Sequence, residues 1–280
     1  MIRKIMAREI ERKVEELCYK ANIIMRPDVA RILRKAYASE KKPLSRGMLK
    51  ILIDNAEIAK KEKLPLCQDT GIAAVFVEIG EDAHVIGRLS SAVNRGVERA
   101  YTENNFRKSV VLDPITRVYK NTNTPAALHV NIVRGKKIKI TVMPKGFGSE
   151  NKSRVAMLGP TSGEKGVVDF AVETVKLAGP DACPPYILGV GIGGTMDTCA
   201  LLSKLSLLRP IDQKNPKERL RKIENKILKK VNSLGIGVMG LGGPFTALGV
   251  NVEVLPTHIA GMPVAVSLSC HSLRSASGTI

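Results

Sequence analysis

The sequence predicts an α+β fold in which helical layers pack on antiparallel or mixed sheets. Amphipathic helical spacings dominate the N-terminal part, whereas short strands and glycine turns dominate from Leu234 onward. The chain shows no regular strand–helix–strand alternation, which argues against a Rossmann-type sheet. Because 280 residues can bury one large core, we expect a single domain over residues 1–280, with a sub-boundary near 150–160.

Three helices are predicted before the first long strand. Residues 5–25 place apolar side chains at three- and four-residue spacings, a pattern that includes Cys18 and assigns it to the core. A second helix is expected from about Asp28, and a third follows Ser45, which we expect to be its N-cap.

The rest of the chain contains further strand and helix patterns. "IAAVFVEIG" predicts a strand at 72–80 and residues 86–104 predict a helix. "ALHVNIV" and "IKITVMP", joined by "RGKK", predict a β-hairpin. Further helices are predicted at about 164–178, 196–208 and 216–232.

The charge balance narrows the classes of partner. Lys and Arg number 44 against 26 Asp and Glu, giving a net charge of +18. The basic residues are spread along helices, and five Tyr, five Phe and no Trp provide little for base stacking, which argues against nucleic-acid binding. A small dianionic substrate or an acidic protein partner would explain the same excess.

The N-terminal segment and the cysteines predict the compartment. "MIRKIMAREIERK" carries charges throughout and lacks the apolar stretch of a secretory signal, and the longest uncharged run is rich in glycine. We therefore expect a protein without a membrane span. Five cysteines without regular spacing argue against a disulfide framework and predict a cytoplasmic location.

The cysteines divide by local context. Cys18 and Cys199 fall inside helical patterns, whereas Cys67, Cys183 and Cys270 lie in turns beside polar or proline residues. No local C-x-x-C pair or ferredoxin-type run is present. Spacing alone therefore leaves both core packing and metal ligation open for these three residues.

Two glycine-rich loops partly match phosphate-binding motifs. "GVGIGG" at 189–194 satisfies G-x-G-x-x-G, but no βαβ unit surrounds it, which argues against a dinucleotide site. "GFGSENKS" lacks the glycine before lysine of a P-loop. A glycine-lined anion pocket stays open there, since successive backbone N–H groups can bind a carboxylate.

Four motifs occur in the same order as in a known enzyme family. "PLCQDTG", "KGFGSENKS", "ACPPYILGVGIGGT" and "THIAGMPVAV" followed by "SCHSLR" resemble the successive motifs of the class I, iron-sulfur-dependent fumarases and L-tartrate dehydratases. The similarity is specifically to the N-terminal domain of the single-chain enzymes or to the separate α subunit. It implies a 4Fe-4S cluster held by Cys67, Cys183 and Cys270.

The resemblance also implies a reaction. It is the reversible hydration of fumarate to malate, with L(+)-tartrate dehydration as the alternative. By resemblance Gln68 binds substrate and His258 is an active-site histidine. Asp69 is the local candidate for acid–base work at the substrate hydroxyl.

Further residues are expected to bind the two carboxylates of the substrate. The resemblance assigns Arg107 to one of them. The loop containing Gly146, Gly148 and Asn151 is expected to offer backbone N–H groups to the other. Ser275 stands where family members often carry a basic residue, a departure that bears on the contacts of Arg274.

The resemblance implies a partner as well. The single-chain enzymes continue after the third cysteine into a second domain, whereas this chain ends at Ile280. We therefore expect a separate β subunit that completes the active site and could carry the base acting at C3, in an α2β2 assembly containing an α homodimer. A zinc or redox-cysteine protein and a basic nucleic-acid-binding module are the alternatives from other classes.

Overall fold

A computed structural model describes residues 2–280 of the chain. The chain divides into two compact units. The first unit comprises the described part of Met1–Met25 together with Ala56–Phe147 and Arg274–Ile280, and the second comprises Arg26–Asn55 and Gly148–Leu273. The single domain predicted over 1–280 stays a prediction.

Helices and strands follow one another along the chain without a regular alternation. The helices are α1 (Ala7–Ile23), α2 (Pro27–Ser39), α3 (Pro43–Glu62), α4 (Leu89–Glu103), α5 (Phe147–Glu150), α6 (Gly163–Ala178), α7 (Met196–Ser206) and α8 (Glu218–Asn232). The strands are β1 (Arg3–Met6), β2 (Ile72–Gly80), β3 (Ala83–Ile86), β4 (Ala127–Val133), β5 (Ile138–Lys145), β6 (Arg154–Leu158), β7 (Tyr186–Gly194), β8 (Ala247–Thr257), β9 (Met262–Ser269) and β10 (Ala276–Thr279). Both larger sheets are mixed, which confirms the predicted α+β class.

Among residues 2–280, no helix is both long enough and apolar enough to cross a membrane.

The first unit packs α1 and α4 on a four-stranded sheet of order β10-β5-β2-β4. Strand β2 lies inside this sheet, and its alternate residues Ala73, Val75 and Val77 are buried in the core. The apolar stripe of α1, which includes Val14 and Cys18, packs in the same core, as its spacing predicts.

The predicted hairpin between β4 and β5 is wrong in its pairing. Both segments are strands, but each pairs with β2, in parallel for β4 and antiparallel for β5. The "RGKK" segment passes over the end of β2, where the Asp82 amide donates to the Gly135 carbonyl at 3.0 Å. A Cβ at Gly80 would come within 2.4 Å of that carbonyl oxygen. The buried β2 takes a partner on both sides, so the two later strands cannot pair directly.

The second unit contains a four-stranded sheet of order β6-β9-β7-β8 with helices on both faces. Tyr186, Leu188 and Val190 of β7 pack in one core with α6 and α8. The intervening Gly189 and Gly191 face α7, because a Cβ at either position would meet backbone oxygens of that helix at 2.1 and 2.5 Å. The G-x-G-x-x-G pattern is therefore a close contact between strand and helix.

The third helix begins earlier than predicted. α3 starts at Pro43, so Ser45 lies inside it and the N-cap prediction is wrong. The buried Ser45 hydroxyl instead donates to the Gly242 carbonyl at 2.7 Å, a tertiary contact that the local sequence does not indicate.

A buried ion pair between Arg26 and Asp28 lies at the N-terminus of α2. Arg26 donates through Nε and Nη2 to the Asp28 carboxylate at 3.0 and 2.6 Å. Its Nη1 and Nη2 also donate to the carbonyls of Leu207 and Arg209, and the Ile211 amide donates to Asp28. Burial alone would raise the pKa of Asp28, but the hydrogen bonds and charge of Arg26 together with the Ile211 amide lower it overall.

Candidate active site

The turn that carries Cys67, Gln68 and Asp69 connects α3 to β2 in the first unit. Leu66 anchors it, because its side chain is buried and its amide donates to the Asn22 carbonyl at 2.8 Å. After this anchor Cys67 and Asp69 are partly buried and Gln68 is exposed. The turn therefore presents a thiol, an amide and a carboxylate at adjacent positions.

The Asp69 carboxylate bridges two of the predicted motifs. Its Oδ1 accepts the Gly71 amide and its Oδ2 accepts the Phe147 amide, both at 2.9 Å. Gly146 lies so close that a Cβ there would come within 3.0 Å of Oδ2. Because each carboxylate oxygen has two lone pairs, both oxygens keep an acceptor site for a substrate or a proton.

The carbonyls of the same turn are held by side chains from elsewhere in the unit. The Tyr101 hydroxyl donates to the Thr70 carbonyl at 2.6 Å, and both Tyr101 and Asn123 contact the Gly71 carbonyl, at 3.2 and 3.0 Å. Burial raises the pKa of Tyr101 far above its ordinary value, so the hydroxyl stays protonated and can donate. The turn is therefore fixed before any ligand arrives.

Arg107 lies next to this turn through a main-chain contact. The buried Thr70 donates its hydroxyl to the Arg107 carbonyl at 2.7 Å. The Arg107 side chain is exposed, as is Gln68. The first unit thus has a carboxylate and an exposed amide in this turn and an exposed cation on the segment beside it.

Arg274 also contacts the turn, and the sequence did not predict its position. It is only 3% exposed, and its Nη2 donates to the main-chain carbonyl of Asp69 at 2.6 Å. Its Nε and Nη1 are buried and have no hydrogen-bond partner among residues 2–280. The signal available in the sequence was its place four residues after Cys270.

Two of the cysteine segments meet in the second unit. The His271 amide and its Nδ1 lie 3.4 and 3.2 Å from the Cys183 carbonyl, so the residue after Cys270 is next to Cys183. Cys183 has a left-handed φ of 57°, which is uncommon for a residue with a side chain. The Cys270 thiol lies 3.1 Å from the Ser272 hydroxyl.

Burial separates the five cysteines as their sequence context predicts. Cys18 and Cys199 are fully buried, and desolvation raises the pKa of both thiols, that of Cys199 to about 11. Cys67, Cys183 and Cys270 are partly exposed. Because iron is ligated by the thiolate, the three partly exposed residues are the better donors.

The chemistry of the three partly exposed thiols bears on an iron-sulfur cluster. Each of the three is a donor of the type that such a cluster takes, and the orphaned N–H groups of Arg274 are donors of the type that a cluster sulfur accepts. Cys67 belongs to the first unit, and Cys183 and Cys270 belong to the second. Within residues 2–280, no three His, Cys, Asp or Glu side chains form a group that could hold a metal ion.

The remaining predicted residues lie in the second unit. Gly148 is in α5, and Asn151 follows this short helix on the surface. His258 is exposed after β8, where its Nδ1 accepts the Ala260 amide at 3.2 Å within its own turn. Gly146, in contrast, lies in the first unit together with Asp69.

Known proteins resemble the chain over nearly its whole length. The profile of the family described as Fumarate hydratase (Fumerase) matches residues 11–279. A Methanocaldococcus jannaschii protein provisionally named L(+)-tartrate dehydratase subunit alpha is 39% identical, with 94% of each chain covered. The L(+)-tartrate dehydratase subunits alpha of Escherichia coli strain UTI89 and Shigella sonnei are each 32% identical, covering 89% of this chain and 84% of theirs. The chain therefore belongs to the fumarate hydratase (Fumerase) family.

Proposed function

We propose that this chain is the α subunit of a hydro-lyase that hydrates fumarate reversibly to malate with the help of a 4Fe-4S cluster. The observation that carries the proposal is the Cys67–Gly71 turn, which presents a thiol, an amide and a carboxylate and whose carboxylate and Thr70 carbonyl are held by hydrogen bonds from its own unit. A turn that only reverses the chain needs residues such as Asp69 and Gly71. It does not need Cys67 and Gln68, which provide a soft metal donor and an exposed amide. Membership of the family supports the same reaction class.

Cys67, Cys183 and Cys270 would hold the cluster in this proposal. Bound by these three thiolates, the cluster would supply Lewis-acid chemistry toward the substrate hydroxyl and carboxylate. The partial exposure of the three thiols supports their assignment. The complete burial of Cys18 and Cys199 supports their exclusion.

Asp69 is the proton-transfer group of this chain. In the hydration direction a water oxygen bonds to C2 of fumarate, and the Asp69 carboxylate accepts the proton that this water releases. A second group delivers a proton to C3, and we assign this group to the β subunit. The amides of Gly71 and Phe147 hold the carboxylate in place while it acts. His258 is the second candidate of this chain for proton transfer.

The substrate carboxylates would be bound at two places. Gln68 and Arg107 are exposed beside the turn and would bind one of them, Arg107 by its planar fork of donors. Backbone N–H groups of the Gly146, Gly148 and Asn151 loop would bind the other. The closeness of Gly146 to the Asp69 carboxylate supports a loop contribution next to the reacting group.

The names of the relatives support a partner subunit. Chains named subunit alpha imply a second type of subunit, so we propose that a β subunit completes the active site. An α2β2 assembly with an α homodimer, a cytoplasmic location and a role in the tricarboxylic acid cycle belong to the same proposal.

A second candidate is L(+)-tartrate dehydratase. The names of the curated relatives favour it, and the substrate differs from malate by one hydroxyl group. The same turn, cluster and carboxylate contacts would serve both reactions. The choice depends on contacts to the extra hydroxyl.

The test is to produce the chain with a β subunit of the same organism and to purify the complex without oxygen. Iron and acid-labile sulfide are measured first, and fumarate hydration and L(+)-tartrate dehydration are then assayed on one preparation. Faster turnover of fumarate supports the first function, and faster turnover of tartrate establishes the second. A complex that takes up no iron-sulfur cluster after anaerobic reconstitution would overturn both.

A further inference from the structure

Arg274 is a buried cation that uses only part of its hydrogen-bonding capacity. Guanidinium carries five N–H groups. The structure gives Arg274 a contact from Nη2 to the Asp69 carbonyl, while Nε and Nη1 have no partner among residues 2–280. A buried charged donor without a partner is costly, so such a group calls for an explanation.

The carboxylate nearest in sequence to this contact does not neutralise Arg274. Asp69 directs both carboxylate oxygens to the amides of Gly71 and Phe147 and offers Arg274 its main-chain carbonyl instead. Burial raises the pKa of the neighbouring Tyr101, so its hydroxyl is a neutral donor and does not balance the charge of Arg274. The remaining donors of Arg274 are therefore available to an anion.

The position of Arg274 connects it to candidate cluster ligands. Through the Asp69 carbonyl it contacts the turn two residues after Cys67, within the same unit. Along the chain it follows Cys270 by four residues. Nε and Nη1 have almost no exposed surface, so bulk water does not satisfy them.

We propose that Arg274 is an anion-binding residue for the iron-sulfur cluster: it holds the Cys67 turn through the Asp69 carbonyl and donates its remaining N–H groups to sulfur. This inference rests on the proposed function. Hydrogen bonds to sulfur and a nearby positive charge stabilise the reduced, more negative state of a cluster and so raise its reduction potential. Arg274 is thus a positioning residue with an electrostatic effect on the cluster.

The experiment compares the α–β complex in wild-type, Arg274→Gln and Arg274→Lys forms, reconstituted with iron and sulfide without oxygen. We expect Arg274→Gln to lower the reduction potential by about 59 mV, a tenfold shift in a one-electron equilibrium. We also expect it to lose its cluster in air about tenfold faster. Arg274→Lys should recover part of both effects, because it keeps the charge but loses the planar fork.

Arg26→Gln is the matched control. Arg26 is also buried, but all of its nitrogens have partners in the second unit. Its replacement should lower the melting temperature and leave the reduction potential unchanged. Should Arg274→Gln fail to fold, the potential of Arg274→Lys decides, since any arginine-specific contact to sulfur is lost there too.

The outcomes separate this inference from the proposed function. A wild-type complex that takes up no cluster overturns the proposed function. If the wild type holds a cluster and both Arg274 variants match its potential and air sensitivity, the inference is overturned and the function stands. An unchanged potential with a raised KM for fumarate would make Arg274 a substrate-binding residue and would also overturn the inference.

Discussion

Each unit contains a buried arginine beside an aspartate, and the two arrangements differ in how they use their donors. In the second unit Arg26 binds the Asp28 carboxylate directly and donates to two further carbonyls. In the first unit Arg274 donates to the main-chain carbonyl of Asp69, whose carboxylate accepts backbone amides instead. All nitrogens of Arg26 therefore have hydrogen-bond partners, whereas Nε and Nη1 of Arg274 have none among residues 2–280.

Under the proposals above, the difference separates an arrangement that stabilises the fold from one that serves a ligand. A fully paired ion pair contributes rigidity, and it has nothing further to offer a substrate. A partly paired one lowers stability in the isolated chain, so its open positions make sense where a bound group fills them. The cysteines divide in the same way, into two buried thiols and three partly exposed ones.

The largest effect is expected from the partly exposed cysteines. Cys67→Ser, Cys183→Ser and Cys270→Ser should each abolish the iron-sulfur cluster, because a serine oxygen is a harder and weaker ligand for iron. Iron and sulfide content and the visible spectrum of the anaerobic complex measure the loss.

Cys18→Ser and Cys199→Ser provide the matched controls within the same set of five. They place a hydroxyl in the core and should cost stability while leaving the cluster content unchanged. Full cluster content in any variant of Cys67, Cys183 or Cys270 would remove that residue from the ligand set.

The next largest effect is expected on kcat when the carboxylate of Asp69 is replaced. Asp69→Asn should lower kcat for fumarate hydration by about 10²- to 10⁴-fold, since an amide cannot accept the proton from water. The cluster spectrum should be retained. Steady-state rates on the reconstituted complex measure the change.

Asp113→Asn is the control for the loss of an aspartate that binds backbone amides. Asp113 accepts the amides of Ile115 and Thr116 at 2.7 and 2.8 Å in an exposed loop of the same unit. Its replacement should leave kcat near the wild-type value. Near-normal turnover in Asp69→Asn would exclude Asp69 from proton transfer.

The sequence predicted the elements better than their partners. Period and spacing located β2 and the helical stripe of α1, because these signals are local. They did not predict that β2 would lie between β4 and β5, since strand pairing depends on contacts between distant segments. The predicted N-cap at Ser45 was wrong for the same reason, as its hydroxyl binds Gly242.

The site followed the same rule. The turn residues Cys67, Gln68 and Asp69 are adjacent in sequence, so they could be predicted together as one group. The residues that hold the turn, Tyr101 and Arg274, come from distant segments. Tyr101 has no local pattern that separates it from an ordinary core aromatic.

A smaller effect is expected from breaking the complete ion pair. Asp28→Asn leaves the buried Arg26 without its counter-charge and should lower the free energy of unfolding by about 3–5 kcal/mol at neutral pH. Cluster content should not change. Urea denaturation of the complex measures the stability, and an unchanged midpoint would show that the pair contributes little.

The same pair predicts a pH dependence. The pKa of Asp28 in the folded protein lies below its ordinary value of 3.8. Its contribution to the free energy of unfolding is therefore complete above pH 3.8 and is lost as the pH falls through the folded pKa. The stability difference between wild type and Asp28→Asn should therefore shrink below about pH 4. A difference that stays constant down to pH 2 would contradict the lowered pKa.

The smallest effect is expected from the hydroxyl that supports the turn. Tyr101→Phe removes the donor to the Thr70 and Gly71 carbonyls and should lower the free energy of unfolding by about 1–3 kcal/mol, because the buried Thr70 carbonyl loses a partner. Tyr186→Phe is its control, since Tyr186 donates to the Gly179 carbonyl in the second unit. Both variants should lose similar stability, but only Tyr101→Phe should lower kcat/KM, because it loosens the turn that holds Asp69. Equal kcat/KM values in the two variants would show that Tyr101 contributes to stability only and does not position Asp69.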